Sequence, residues 1–145
     1  MPKEYRLGRA TRLVNAAFQQ LARRGMGASY LHTLTVRGRR SGQPYSTPVD
    51  VMELSGERWL VAAYGVTNWV HNVRASGEAT LARGSRTEHF KVVPATPEEA
   101  VPVLRKYMTD VPVTRAYFDA RPDASDEAIR AELENHPVFR LIPAS

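Results

Sequence analysis

Between Arg9 and Arg24 apolar residues return every fourth position, as Leu13, Ala17 and Leu21, with Val14 and Phe18 beside them. That spacing predicts an amphipathic helix within residues 1–27. Arg9, Arg12, Arg23 and Arg24 occupy the rest of its surface, and Gly25-Met26-Gly27 stops it. Such a helix is expected to cap one end of a barrel with its apolar stripe. The competing reading is a weak peripheral membrane contact through a basic amphipathic face.

At Leu31 the period drops to two. Leu31-His32-Thr33-Leu34-Thr35-Val36 alternates and is β-branched, which predicts a strand. A polar Gly/Arg loop follows, then a strand from about Tyr45 to Leu54, a tight turn at Ser55-Gly56 and a strand over Arg58–Ala63. Trp69 to Ser76 forms a short helix closed by Gly77. Glu78–Arg83 and Arg86–Val93 make a second hairpin about Gly84-Ser85. Thr96-Pro97-Glu98-Glu99 starts a helix: threonine caps, proline suits the first helical position and Glu99 completes a capping box. Val101, Leu104 and Met108 mark one face of it. Ser125 caps a last helix in which Ile129 and Leu133 stack, His136-Pro137 ends it, and Val138–Ile142 is a final strand. Two hairpins among six strands, without βαβ alternation, predict an α+β protein built on an antiparallel barrel. The expected organisation is one domain over 1–145, with the N-terminal helix in 1–27 and the barrel and its flanking helices in 28–145.

Composition narrows the chemistry. With 43% hydrophobic and 24% charged residues, a chain of 145 residues can bury a core without staples. It has no cysteine, hence no disulfide framework and no thiolate site. No apolar run follows the N-terminal Met1-Pro2-Lys3-Glu4-Tyr5-Arg6, and none approaches the roughly 20 residues of a membrane span, so a cytoplasmic protein is expected. The net charge of +5 favours anionic partners. Nucleic acid is not among those expected, since neither aromatic interleaving nor a helix-turn-helix or zinc-finger pattern is present.

Two segments carry candidate chemistry. In Arg37-Gly38-Arg39-Arg40-Ser41-Gly42-Gln43-Pro44, glycines let several backbone N–H groups face one anion, arginine forks bind phosphate or carboxylate oxygens, and Ser41 adds a hydroxyl. The plainer reading is a solvated basic hairpin tip. In Ala62-Ala63-Tyr64-Gly65-Val66-Thr67-Asn68-Trp69-Val70-His71-Asn72, small residues at a strand end admit a flat ring, and a helix start favours negative charge. The plainer reading here is a connector with one buried tryptophan. His32, His71, His89 and His136 lack metal-ligand spacing, so no metal is expected. No Gly-x-Ser-x-Gly elbow occurs, and no carboxylate pair lies near the basic loop. Such a chain would borrow its reactive group from a redox coenzyme.

The stretch Leu34-Thr35-Val36-Arg37-Gly38-Arg39-Arg40-Ser41-Gly42-Gln43-Pro44-Tyr45-Ser46-Thr47-Pro48-Val49 resembles the opening signature of the deazaflavin-dependent nitroreductase family, whose members occur chiefly in actinobacteria and use coenzyme F420. A strand ending in small residues, Ala62-Ala63-Tyr64-Gly65, and a Trp-x-x-Asn segment, Trp69-Val70-His71-Asn72, continue the likeness. It runs from about Leu31 to Val93 and more loosely onward. The resemblance implies a six-stranded split β-barrel like that of pyridoxamine-phosphate oxidases. It implies that Arg39, Arg40 and Ser41 hold the acidic tail of the coenzyme. Tyr45, Ser46, Thr47, Pro48, Val49 and Asp50 would line the next stretch, and Ala62, Ala63, Tyr64 and Gly65 would border the ring. Asn68, Trp69, Val70, His71 and Asn72 would close the phosphate side. Tyr117 matches a position where the nitroreductase branch carries a pocket tyrosine.

Three positions depart from that branch. Tyr45 stands where Arg or Lys is frequent, Tyr64-Gly65-Val66 replaces a Lys-Gly-Gly loop, and Thr114 takes a neighbouring pocket-tyrosine position. The implied reaction is hydride transfer from the reduced deazaflavin to a hydrophobic, electron-poor small molecule: the activated C=C of an enone or lactone, or a quinone or nitro compound. Tyr64 or Tyr117 would polarise the acceptor carbonyl. The alternatives are FMN as the cofactor, or a non-catalytic lipid- or pigment-binding barrel. Monomer and homodimer both remain open.

Overall fold

A computed structural model describes residues 30–144; the helix expected over residues 9–24 lies outside them. Six strands, β1 (Leu31–Arg37), β2 (Pro44–Leu54), β3 (Glu57–Val61), β4 (Glu78–Arg83), β5 (Arg86–Pro94) and β6 (Val138–Pro143), are joined by helices α1 (Asn68–Ser76, after β3) and α2 (Pro97–Asp110) and α3 (Asp126–Arg130), both between β5 and β6. Two 3-10 turns, Pro112–Tyr117 and Ala131–Glu134, complete the elements. The strands close into an antiparallel barrel in the order β1-β2-β3-β6-β5-β4. Leu34 lies opposite Thr47 on β2 and Leu81 on β4, so β1 joins the two hairpins. Leu60 lies opposite Phe139, which brings the last strand between β3 and β5.

Local chemistry fixes the turns. Leu54 pairs with Glu57 across a two-residue loop, and both Ser55 (φ 57°) and Gly56 (φ 75°) occupy the left-handed region that such hairpins require. At the start of α2 the Thr96 hydroxyl accepts from the Glu99 N–H at 3.2 Å, while the Glu99 carboxylate accepts from the Thr96 N–H at 2.9 Å. These bonds satisfy two donors that a helix start otherwise leaves open.

Period-two alternation divides the apolar residues between two cores. Leu34, Leu60, Leu81, Phe90, Phe139 and Leu141 fill the barrel, and Val70 and Val73 of α1 pack on them. Met52, Trp59 and Val61 point outward from β2 and β3 to meet α2 through Val103, Leu104, Tyr107 and Met108. Phe118, Ile129 and Val138 extend this outer core. Where β1 and β3 begin, Arg58 bonds Glu88 at 3.1 Å and lies 5.1 Å from the centre of the Phe90 ring, forming a polar plug. His136 ties three segments together: its ring nitrogens lie 2.9 Å from the Ala62 carbonyl and 2.8 Å from that of Tyr117.

Some boundaries differ from those the periodicity predicts. β3 stops at Val61 because the Ala62 N–H turns to the Pro137 carbonyl and the Ala63 N–H to that of Val61. The buried stripe of α2 runs through Ala100, Val103, Leu104, Tyr107 and Met108, with Val101 at its edge. The last helix tightens into a 3-10 turn after Arg130. The 3-10 turn Pro112–Tyr117 has no apolar period to announce it; the Arg115 guanidinium holds it by donating to the Met108 carbonyl at 2.8 Å.

Leu60 touches no solvent and sits where β2, β3 and β6 meet. Leu60→Ala is expected to cost about 2–5 kcal/mol, read as a lowered midpoint in urea unfolding with an unchanged slope.

Candidate functional site

The β1–β2 loop owes its shape to two main-chain bonds, Gly38 N–H to the Gln43 carbonyl (2.7 Å) and Gly42 N–H to the Gly38 carbonyl (3.0 Å). Gly42 turns at φ 71°. Gly38 is required for a different reason: a Cβ there would lie 2.5 Å from a ring carbon of Tyr45. The Tyr45 ring thus lies over the loop, and its hydroxyl is 3.2 Å from that of Ser41.

The loop is also pinned from α1. Asn72, buried on that helix, accepts through Oδ1 from the Arg39 main-chain N–H (3.1 Å) and from its guanidinium (2.9 Å). Both partners are obligate donors, which fixes the amide orientation. One guanidinium nitrogen of Arg39 is spent there; Arg40 and Ser41 stay exposed at the edge of a cleft.

That cleft has a volume of about 600 Å³. Arg39, Arg40, Ser41, Asn68 and Asn72 line its polar part. Along β2 it is lined by Tyr45, Ser46, Thr47, Pro48, Val49 and Asp50, a run of roughly 16 Å at strand rise. Val36, Ala63, Tyr64, Thr67 and Trp69 form further wall, and Tyr30, Val61, Tyr107, Val111, Val113 and Thr114 surround the Asp50 end. There the Tyr107 hydroxyl donates to Asp50 Oδ2 at 2.8 Å. Burial pushes the Asp50 carboxyl above the ordinary carboxylate range, and the Tyr107 bond opposes this only in part. Burial and then the Asp50 charge drive the Tyr107 hydroxyl well above its ordinary value. Burial also raises Tyr30, with Asp50 and Asp110 adding to the effect.

Fourteen of the residues singled out from sequence line this one cleft: Arg39, Arg40, Ser41, Tyr45, Ser46, Thr47, Pro48, Val49, Asp50, Ala63, Tyr64, Asn68, Trp69 and Asn72. Ala62, Gly65, Val70, His71 and Tyr117 do not line it. Ala62 points into the barrel. Helical rotation sends Val70 into the core and His71 to solvent, while Asn68, Trp69 and Asn72 share the cleft side. Tyr117 stands behind Tyr64, the two rings edge-to-face at 4.9 Å. Tyr107 went unremarked in the sequence. Its spacing of three and four residues from Leu104 and Val103 was the available sign.

Among the described residues, no group of three or more His, Asp or Glu is placed to hold a metal ion, and no helix is long and apolar enough to cross a membrane. The arrangement suits an elongated, flat-ringed anion, with cations and a hydroxyl at one end and small or apolar side chains beside the remainder.

Six antiparallel strands closed in this order, with helices packed outside, make the chain a split-barrel protein of the pyridoxamine-phosphate-oxidase type. A candidate pyridoxamine 5'-phosphate oxidase from Listeria innocua is 10% identical, covers 80% of this chain and 85% of its own, and has a TM-score of 0.56. An F420-H2 dependent reductase, FDR-A, is 18% identical over 77% of this chain and 93% of its own, with a TM-score of 0.55. A further structure, a domain-swapped dimer, is 18% identical over 91% of this chain and 98% of its own, with a TM-score of 0.59. No curated protein matches the sequence. The profile of the F420H(2)-dependent quinone reductase family matches residues 9–127, and the chain belongs to that family of oxidoreductases.

Asn72→Leu is expected to destabilise the protein by about 1–3 kcal/mol, because the Arg39 donors lose their acceptor; Asn72→Asp should restore most of this in the same unfolding titration. Asp50 gives a separate pH signature. Its raised folded pKa means that the native state keeps a proton that the unfolded chain has released. Stability should therefore fall as pH rises from the ordinary carboxylate value through the raised one, and this slope should vanish in Asp50→Asn.

Proposed function

We propose that the chain binds the deazaflavin coenzyme F420 in this cleft and uses its reduced form to reduce a hydrophobic, electron-poor acceptor. The acceptor class is a quinone, or the activated C=C of an enone or unsaturated lactone. The observation that carries the reading is the single cleft that joins Arg39, Arg40 and Ser41 to an apolar, tyrosine-rimmed end along β2.

Arg39, held by Asn72, and Arg40 would clasp the phosphate and acidic tail, with Ser41 adding a hydroxyl donor. The small side chain of Ala63 leaves room for the ring beside Val49, and Trp69 closes that wall. The coenzyme, when bound, supplies hydride. The chain supplies position and polarity. Tyr64, on the cleft wall, would donate to the acceptor carbonyl as negative charge develops there, with Tyr117 bracing its ring. Apolar surfaces exclude water and stack the acceptor. FMN shares the flat ring and the phosphate, and titration separates it from F420. The likeness to a domain-swapped dimer supports a homodimer, and a cytoplasmic setting suits the reduced coenzyme.

Fluorescence titration should show saturable F420 binding that is tighter than FMN binding; equal or tighter FMN binding would reverse the cofactor assignment. Arg39→Ala with Arg40→Ala should weaken F420 binding by about 1.5–3 kcal/mol for each lost contact, more at low than at high salt. With the coenzyme supplied reduced, a naphthoquinone or cyclohexenone should restore the absorbance of its oxidised form. Tyr64→Phe should lower kcat more than it alters coenzyme affinity, and Tyr117→Phe should have the smaller effect.

A further inference from the structure

We propose that Asp50, steadied by Tyr107, is the acid that delivers a proton to the reduced acceptor; this rests on the F420-dependent reduction proposed above. Val49 and Val51 point into the barrel, so Asp50 points outward, under α2 and at the end of the cleft. It shares the cleft with Val61 and Val111 and bonds Tyr107, whose ring is buried. A carboxyl in such surroundings is costly unless paired. None of the ion pairs among the described residues involves Asp50, and Tyr107 is the one side chain there that donates to it, through Oδ2 alone. Among the described residues no side chain bonds its other oxygen, and Asp50 lines the cleft.

Among the described residues, Tyr107 of α2 bonds Asp50, and Tyr30, which precedes β1, lies near enough to feel its charge. Asp110 of α2 acts on Tyr30, while Thr114 of the 3-10 turn and Tyr64 after β3 act on Tyr107. None of these is a cation that would hold Asp50 ionised. Burial moves the carboxyl upward from the ordinary carboxylate range, which favours the protonated form that an acid needs. Packing alone gives no reason for this residue: a threonine or asparagine could equally satisfy the Tyr107 hydroxyl without a half-buried titrating group.

With a quinone as acceptor, the bound reduced coenzyme would supply hydride, which is two electrons and one hydrogen, and a quinol anion would result. The Asp50 O–H bond breaks, an O–H bond forms on the anionic oxygen, and the Asp50 carboxylate remains, accepting from Tyr107. Solvent would return a proton to Asp50, and oxidation of the coenzyme would release one proton to solvent. The sum is two hydrogens moved from coenzyme to quinone. With an enone, the same proton quenches the enolate.

Asp50→Asn keeps an acceptor for Tyr107 and tests the assignment. It should bind F420 within a few-fold of the wild type, while turnover of the naphthoquinone falls about a hundredfold or more. The wild-type rate should decline as pH rises through the Asp50 titration, and the variant should lack that limb. A second readout needs neither coenzyme nor turnover. In the infrared, the wild-type protein should show a protonated-carboxyl band that persists above the usual carboxylate range and is absent from Asp50→Asn. Tyr107→Phe should move the midpoint higher, since the donor favouring the carboxylate is gone. Wild-type turnover and pH profile in Asp50→Asn, or loss of its F420 affinity, would overturn the role of Asp50 and leave the reductase reading standing. So would an Asp50 band that titrates in the ordinary range. Failure of the wild type to bind F420 would instead remove the reading beneath it.

Discussion

Asn72 Oδ1 accepts two N–H groups from one residue on another element, and much of the site depends on that junction. The bond to the Arg39 main chain fixes where the β1–β2 loop passes α1, and the bond to the guanidinium fixes where its charge lies. Asn72 can hold this position because Val70 and Val73 anchor the same helix to the barrel interior. Gly77, at φ 70°, ends the helix and passes the chain into β4. A cationic loop that would otherwise be a mobile hairpin tip is thereby referenced to the rigid core. That conversion of loop into scaffold is what precise binding of an anion requires.

The other end of the cleft depends on a different partition. β2 presents Val49 and Val51 to the barrel and Asp50 and Met52 to α2, so one strand serves two cores and carries a carboxyl between them. The Tyr107 hydroxyl reaches that carboxyl because the capping box sets where α2 begins, and helical repeat then places Tyr107 over β2. Polar chemistry at the two ends is thus fixed by elements from opposite halves of the chain, with β2 as the shared wall.

Much of this was readable from the sequence, and the exceptions have physical causes. Alternation located all six strands, and the Ser55-Gly56 turn and the Thr96 cap were explicit in residue type. The basic loop stood out by residue type, while the Trp69–Asn72 segment gained its meaning from the family resemblance, and the fold brings them together. Val70 and His71 were grouped with their neighbours because a contiguous motif hides helical rotation. The 3-10 turn Pro112–Tyr117 escaped because side-chain to main-chain bonds such as those of Arg115 and Thr114 set it, and these leave no periodic trace. Tyr107 escaped for the opposite reason: it lies on an apolar stripe, where an aromatic reads as packing. Only the position of Asp50, across 57 residues of sequence, gives its hydroxyl a purpose.

The ring of strand pairings closes when β4 meets β1. Closure is incomplete along β2, where Pro44–Asp50 pair with β1 on one side and β3 takes up the other side only from Val51. A row of unpaired peptide groups is the feature by which sheets add strands from other chains, and here the residues that carry it line the cleft. A second copy can instead associate by laying side chains against side chains, or by each chain lending an entire element to the other. The first route leaves each monomer whole before assembly. The second makes assembly part of folding, so the rate of pairing would carry the barrier for opening the barrel.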